Sequence, residues 1–106
     1  MAGRVRSVVW AESAHAALDE VISYIAQDSR QAALELLARA LDAAAGLTTL
    51  SERGRVVPEL DDPAIREVFM HRYRLLYRVE PDHVVVVAFR HGARDFAKWR
   101  QGRDLH

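Results

Sequence analysis

The chain has 106 residues, half of them hydrophobic, which suits one globular domain spanning 1–106 with its own core and excludes a disordered segment. Fifteen basic and 15 acidic residues cancel, which argues against a strongly basic nucleic-acid binder. Cysteine is absent, so disulfides and thiolate metal sites are excluded, as suits a reducing compartment.

The first residues, Met1-Ala2-Gly3-Arg4-Val5-Arg6, lead into no long apolar run. Neither a signal peptide nor a membrane span is expected, and the expected location is the cytoplasm. Val5 to Trp10 reads as a first strand. Glu12-Ser13 then opens a helix, with the acid near the positive end of the helix dipole. Ala14, Ala17, Leu18, Val21, Ile22 and Ile25 recur at spacings of three and four, predicting a helix over about 11–27.

Asp28-Ser29 supplies a break and an N-cap, and a second helix is predicted over about 30–50. Ala33, Leu36, Leu37, Ala40, Ala44 and Leu47 form its main apolar face, opposite Glu35, Arg39 and Asp42. Leu34, Ala38, Leu41 and Ala45 widen the arc beyond what one packing partner needs. Two readings stay open: the helix packs on both the first helix and a sheet, or it leaves a groove for a partner helix.

Glu52-Arg53-Gly54-Arg55 reads as a turn, and Val57 to Pro63 as an irregular crossing segment whose Asp61 and Asp62 suit turns. Ile65 to Phe69 alternates as a strand, and His71-Arg72 turns the chain. Tyr73-Arg74-Leu75-Leu76-Tyr77-Arg78-Val79 alternates with period two: Tyr73, Leu75, Tyr77 and Val79 on one side, Arg74, Leu76, Arg78 and Glu80 on the other. Pro81-Asp82 closes a hairpin to a last strand, Val84 to Phe89, apolar on both faces and so placed inside the sheet, its other edge taking the first strand. Phe96 to Gln101 suits a short terminal helix.

The expected fold is therefore α+β: a helical hairpin on one face of a small antiparallel sheet, in the order β-α-α-β-β-β with a short C-terminal helix. Leu18, Ile22, Ile25, Leu37, Leu47, Leu75, Tyr77, Val85 and Val87 are the expected core. The other face would carry Arg74 and Arg78, with Arg66 or its neighbour beside them and His91 and Arg94 near the rim. Of the 15 basic residues only Lys98 is a lysine, and an arginine cluster suits phosphate or carboxylate recognition. The five histidines lack metal-ligand spacing, and no phosphate-binding, dinucleotide or serine-nucleophile motif is present, so neither metal nor cofactor is expected.

The chain resembles the RelE/ParE superfamily, the toxins of type II toxin–antitoxin (plasmid-stabilisation) modules. The resemblance is carried by the strand ending in Trp10, Ile22-x-x-Ile25-Ala26, the long second helix and Gly54-x-x-x-Pro58-Glu59. It continues through Arg66-Glu67, the Tyr73 to Val79 strand and His91-Gly92-Ala93-Arg94-Asp95, so it spans nearly the whole chain. It implies the fold described above and a cognate antitoxin with an amphipathic C-terminal segment, for which Leu34, Ala38, Leu41 and Ala45 would be the docking residues.

Two activities are implied by its two branches. RelE-like members cut mRNA on the ribosome. Arg74 matches their strand arginine, Arg94 their distal one and Arg66, loosely, their first basic position, while Glu59 and His91 approximate the Glu–His pair of related nucleases. No Tyr follows Tyr77, so their C-terminal tyrosine is missing, and Arg100 falls near its place. ParE-like members inhibit DNA gyrase without that set. The His91 to Asp95 ending, the zero net charge and the missing tyrosine resemble this branch, with Arg74, Arg78, Arg94 and Trp99 as target-binding residues. A non-toxic binding module using the same arginine face is the remaining alternative.

Overall fold

The structure, a computed structural model, describes residues 5–92. Arg94 and the expected terminal helix, Phe96 to Gln101 with Trp99 and Arg100, lie outside the described residues.

The apolar stripe of the first helix produces α1, Glu12–Ala26, which buries Ala14 and Leu18 and packs Val21, Ile22 and Ile25 against the same core. Ser29 is the N-cap of α2, Arg30–Gly46, its side-chain oxygen accepting the Ala32 N–H at 3.0 Å. This helix stops short of residue 50. Gly46 and then Thr48 are weak helix formers, and the chain tightens: Leu47 and Thr48 donate to the carbonyls of Ala44 and Ala45, while the Thr48 hydroxyl also bonds Ala45.

Five strands follow in the spatial order β1-β5-β4-β3-β2: β1, Ser7–Trp10; β2, Arg55–Val56; β3, Ile65–Met70; β4, Tyr73–Val79; and β5, His83–His91. The sheet is mixed and not wholly antiparallel, because β1 runs parallel to β5, with Ser7 opposite His83 and Trp10 opposite Val86. The two partners are joined only through both helices and three further strands, so no turn chemistry dictates their relative direction. Arg6 fixes β1 in place. Its N–H donates to the Thr48 carbonyl, its Nε to the Glu80 carbonyl and its Nη1 to the Ser51 hydroxyl, the last two at 2.8 Å.

The short β2, where a turn was expected, has two residues, too few to show alternation in the sequence. His71 turns β3 into β4 with a left-handed φ of 55°.

The sheet has a core on each face. Facing the helices are Leu75, Tyr77, Val84, Val86 and Phe89, packed against Leu18, Leu36, Ala40 and Leu47. The opposite face is not open at its centre: Val57 and Leu60 of the crossing segment fold over Ile65, Leu76, Val87 and Ala88. Leu76, expected on the charged face, is therefore fully buried, and Val85 and Val87 belong to this second core. A β-bulge explains how one strand serves both. Leu76 pairs with Ala88 but Tyr77 with Val86, so Val87 is an extra residue and Val87 and Ala88 both serve the second core.

Gly54 joins the two layers. Its N–H donates to the Tyr77 hydroxyl at 2.9 Å, and a Cβ there would lie 2.4 Å from the Glu67 carbonyl oxygen and 2.7 Å from that hydroxyl. Gly54→Ala should therefore lower stability by about 1–3 kcal/mol, read from the urea midpoint at unchanged m-value.

Burial pushes the Tyr77 hydroxyl above its ordinary pKa of 10.0, the Gly54 N–H opposing this in part. The protonated phenol is the form the fold favours, so its contribution is complete below about pH 10 and is lost as pH rises through the higher folded value. Urea melts of the wild type should lose stability over that alkaline window, and Tyr77→Phe should remove this component of the slope.

Candidate functional site

On the face away from the helices, β2, β3 and β4 bring together Arg55, Glu67, Phe69 and Arg74. Strand pairing sets the arrangement: Arg55 lies opposite Glu67, and Phe69 opposite Arg74. Glu67 has a fully buried side chain, and both carboxylate oxygens are used. Arg55 Nε donates to Oε2 at 2.6 Å and Arg74 Nη1 to Oε1 at 3.1 Å. A buried carboxylate is costly unless its oxygens are paired and hydrogen-bonded in this way. The same two guanidinium groups stand over the Phe69 ring, Arg55 at 5.3 Å and Arg74 at 5.2 Å from its centroid, and the residue remains 51% exposed.

Arg74 reaches further, to Glu59 at 3.4 Å, and Arg78 pairs with Asp62 at 3.1 Å. Glu59 and Asp62 lie in the crossing segment, so these pairs fasten the segment over its apolar contacts. Asp62 also accepts the Ala64 N–H at 2.9 Å, the turn role expected of an aspartate there.

The other candidate residues lie elsewhere. Arg66 is opposite Tyr77 on the helix side, where its Nη1 donates to the Gly54 carbonyl at 2.8 Å. Glu67, its neighbour, stands beside Arg74 instead. His91 is opposite Tyr73, edge-on to that ring at 5.4 Å, also on the helix side. It lines a cavity of about 480 Å³ with Glu20, Tyr24 and Phe89. The sheet thus separates Arg66 and His91 from Arg74 and Glu59. Among the described residues no cluster of His, Asp or Glu could hold a metal ion, and no helix is long and apolar enough to cross a membrane.

Leu34, Ala38, Leu41 and Ala45 all face solvent, the two leucines 52% and 48% exposed. Their spacing of four, three and four makes one continuous stripe along α2. The wide arc is therefore not absorbed by α1 and the sheet.

Arg55 and Phe69 were not among the residues the sequence reading singled out. Phe69 shares a strand face with Ile65, and only the charge of Glu67 between them marks that face as more than buried. Because Glu67 depends on two partners, Arg74→Met should cost about 3–5 kcal/mol, and Arg74→Met with Glu67→Leu should recover most of it. A double-mutant cycle by urea denaturation measures this.

Comparison with known proteins adds three findings. A family model described as the ParE toxin of the type II toxin–antitoxin system, parDE, matches residues 8–96. Among solved structures, a chain from the chromosomal ParDE toxin–antitoxin system of P. aeruginosa superposes with a TM-score of 0.67 at 18% identity, over 82% of this chain and 96% of that one. At that identity the likeness establishes the fold alone. No curated protein matches.

Proposed function

The chain belongs to the ParE toxin family of type II toxin–antitoxin systems, and from this we propose that it arrests growth in the cytoplasm by binding DNA gyrase, without catalysis, under the control of a cognate antitoxin. The observation that favours an inhibitor over a ribosome-dependent mRNA endonuclease is the separation of the candidate nuclease groups. In-line attack by a 2′-hydroxyl needs a base, an acid and a cation around one phosphate. Arg66 and His91 are on the helix side of the sheet, whereas Arg74 and Glu59 are on the other and bonded to each other. Arg74 and Arg78, with Arg94 and Trp99 beyond the described residues, are the proposed gyrase contacts.

The antitoxin is proposed to lay an amphipathic C-terminal segment along Leu34, Ala38, Leu41 and Ala45. The small alanines alternate with the exposed leucines along the stripe, and covering the exposed half of each leucine is worth about 1 kcal/mol.

Purified protein should inhibit gyrase supercoiling of plasmid DNA and leave ribosome-bound mRNA intact. Codon-positioned cuts that disappear in Arg74→Ala or His91→Ala would replace this reading with the nuclease one. Leu41→Glu should weaken antitoxin binding by at least about tenfold with an unchanged melting midpoint, since the side chain is half-exposed. Wild-type affinity in that variant would place the antitoxin elsewhere.

A further inference from the structure

The cavity of about 480 Å³ lies between α1 and the paired ends of β4 and β5, on the helix side of the sheet. Ala17, Glu20 and Tyr24 border it from α1. Their spacing of three and four puts them on one face of that helix, and Ala17 is too small to fill the space before it. Tyr73, Phe89 and His91 border it from the strands. Tyr73 and His91 are opposite each other in the ladder, and Phe89, two residues before His91, reaches the same face. These rings hold one another in place: Tyr73 stacks on Phe89 at 5.4 Å and 12°, and His91 stands edge-on to Tyr73. Arg90 also borders the cavity, but it is opposite Arg74, so its Cβ points to the other face.

The helix wall is acidic and lacks a counter-charge. α1 carries Glu12, Asp19 and Glu20 but neither lysine nor arginine. His15 stands 3.5 Å from Asp19, whereas the Glu20 carboxylate makes no ion pair or hydrogen bond among the described residues. No basic residue occupies the last turn of α1, so the negative end of its dipole, beside Tyr24, is uncompensated. Tyr24 itself is 72% exposed, one turn beyond Glu20. Aromatic faces carry negative potential, so ring, carboxylate and dipole all favour a cation in this space.

An exposed tyrosine or glutamate alone is ordinary surface, and Phe89 is needed by the core. Packing does not explain why an unpaired carboxylate and a solvated ring border the same cavity as a fixed aromatic wall. The volume falls within the range of small-ligand sites. It leaves room for a whole molecule and not only for one charged group.

We propose that this cavity binds a small organic cation of the alkylguanidinium class. Glu20 would accept two N–H bonds from the planar group, and the Tyr24 and Tyr73 rings would cover its faces. A guanidinium suits the site better than an ammonium, because it is planar, weakly hydrated and able to stack on rings. The site shares no residue with the α2 stripe and does not depend on gyrase being the target.

The test is a titration of the full chain with butylguanidinium, followed by amide and aromatic side-chain chemical shifts. The shifts should centre on Glu20, Tyr24 and His91, with a Kd on the order of 1 mM, as suits a ligand of so few atoms. Butylurea, the neutral molecule of the same shape, should bind at least about tenfold more weakly, and butylammonium about threefold more weakly. Glu20→Gln should weaken butylguanidinium binding by about tenfold. Tyr24→Ala should weaken it by about two- to fivefold, while Tyr24→Phe should leave it unchanged. Both side chains are exposed, and unchanged circular dichroism melts would show that the fold persists. The proposal is overturned if no shifts appear at these residues at about twentyfold the expected Kd. Equal binding of butylurea, or full affinity in Glu20→Gln, would overturn it too. It is also overturned if acetyl-Gly-Arg-Gly-amide binds the same residues about tenfold more tightly than butylguanidinium, which would assign the cavity to an arginine side chain of a partner protein.

Discussion

The buried carboxylate of Glu67 constrains this structure more than any other single group. It sits in the middle of β3 with no exposure, and its two partners come from the strands on either side, Arg55 of β2 and Arg74 of β4. Desolvating one charge is costly, and the cost is offset only when both guanidinium groups are in position. The triad therefore binds three strands crosswise, in addition to their backbone ladders. It also explains why a two-residue strand persists at the edge: the arginine that it carries is needed inward.

The same constraint propagates to the crossing segment. Arg74, already held by Glu67, extends to Glu59, and Arg78 on the same strand face holds Asp62. Between these two ion pairs lie the apolar contacts of Val57 and Leu60 with Leu76 and Val87. The segment is thus fixed by a small core bordered by charge, and arginine suits the purpose because one planar fork can serve two acceptors. Arg6 and Arg66 do comparable work with backbone carbonyls. Much of the chain's preference for arginine over lysine is spent within the fold, so an arginine in the sequence is weak support for a binding site until its partners are known.

Much of the architecture was legible in the sequence because period carries it. The stripe from Ala14 to Ile25, the Ser29 cap and the alternation of Tyr73 to Val79 gave α1, the start of α2 and β4, and the apolar run of β5 gave its interior place beside β1. The misplaced features lack a local signal. A bulge at Val87 breaks alternation only in the context of its partner strand, and β2 is too short to have a period. The parallel direction of β1 depends on contacts across most of the chain. For the site, the sequence could name Arg74 but not the side of the sheet occupied by Arg66 and His91. Register decides that, and a shift by one residue exchanges the faces.

Taken together, the faces of the molecule divide by chemistry. The helix side of the sheet is filled with apolar packing and holds Arg66 and His91 in structural contacts, while the α2 stripe and Tyr24 of α1 are exposed apolar surface on that layer. The other side, among the described residues, carries paired charge over a second core. A nuclease concentrates unsatisfied groups at one point in order to meet a transition state. Here the ionic groups that meet at one point, Arg55, Glu67, Arg74 and Glu59, are largely satisfied by one another, while the exposed groups are an apolar helical stripe, an aromatic ring and a strand edge. Those are elements of protein recognition, the kind of activity proposed for the chain.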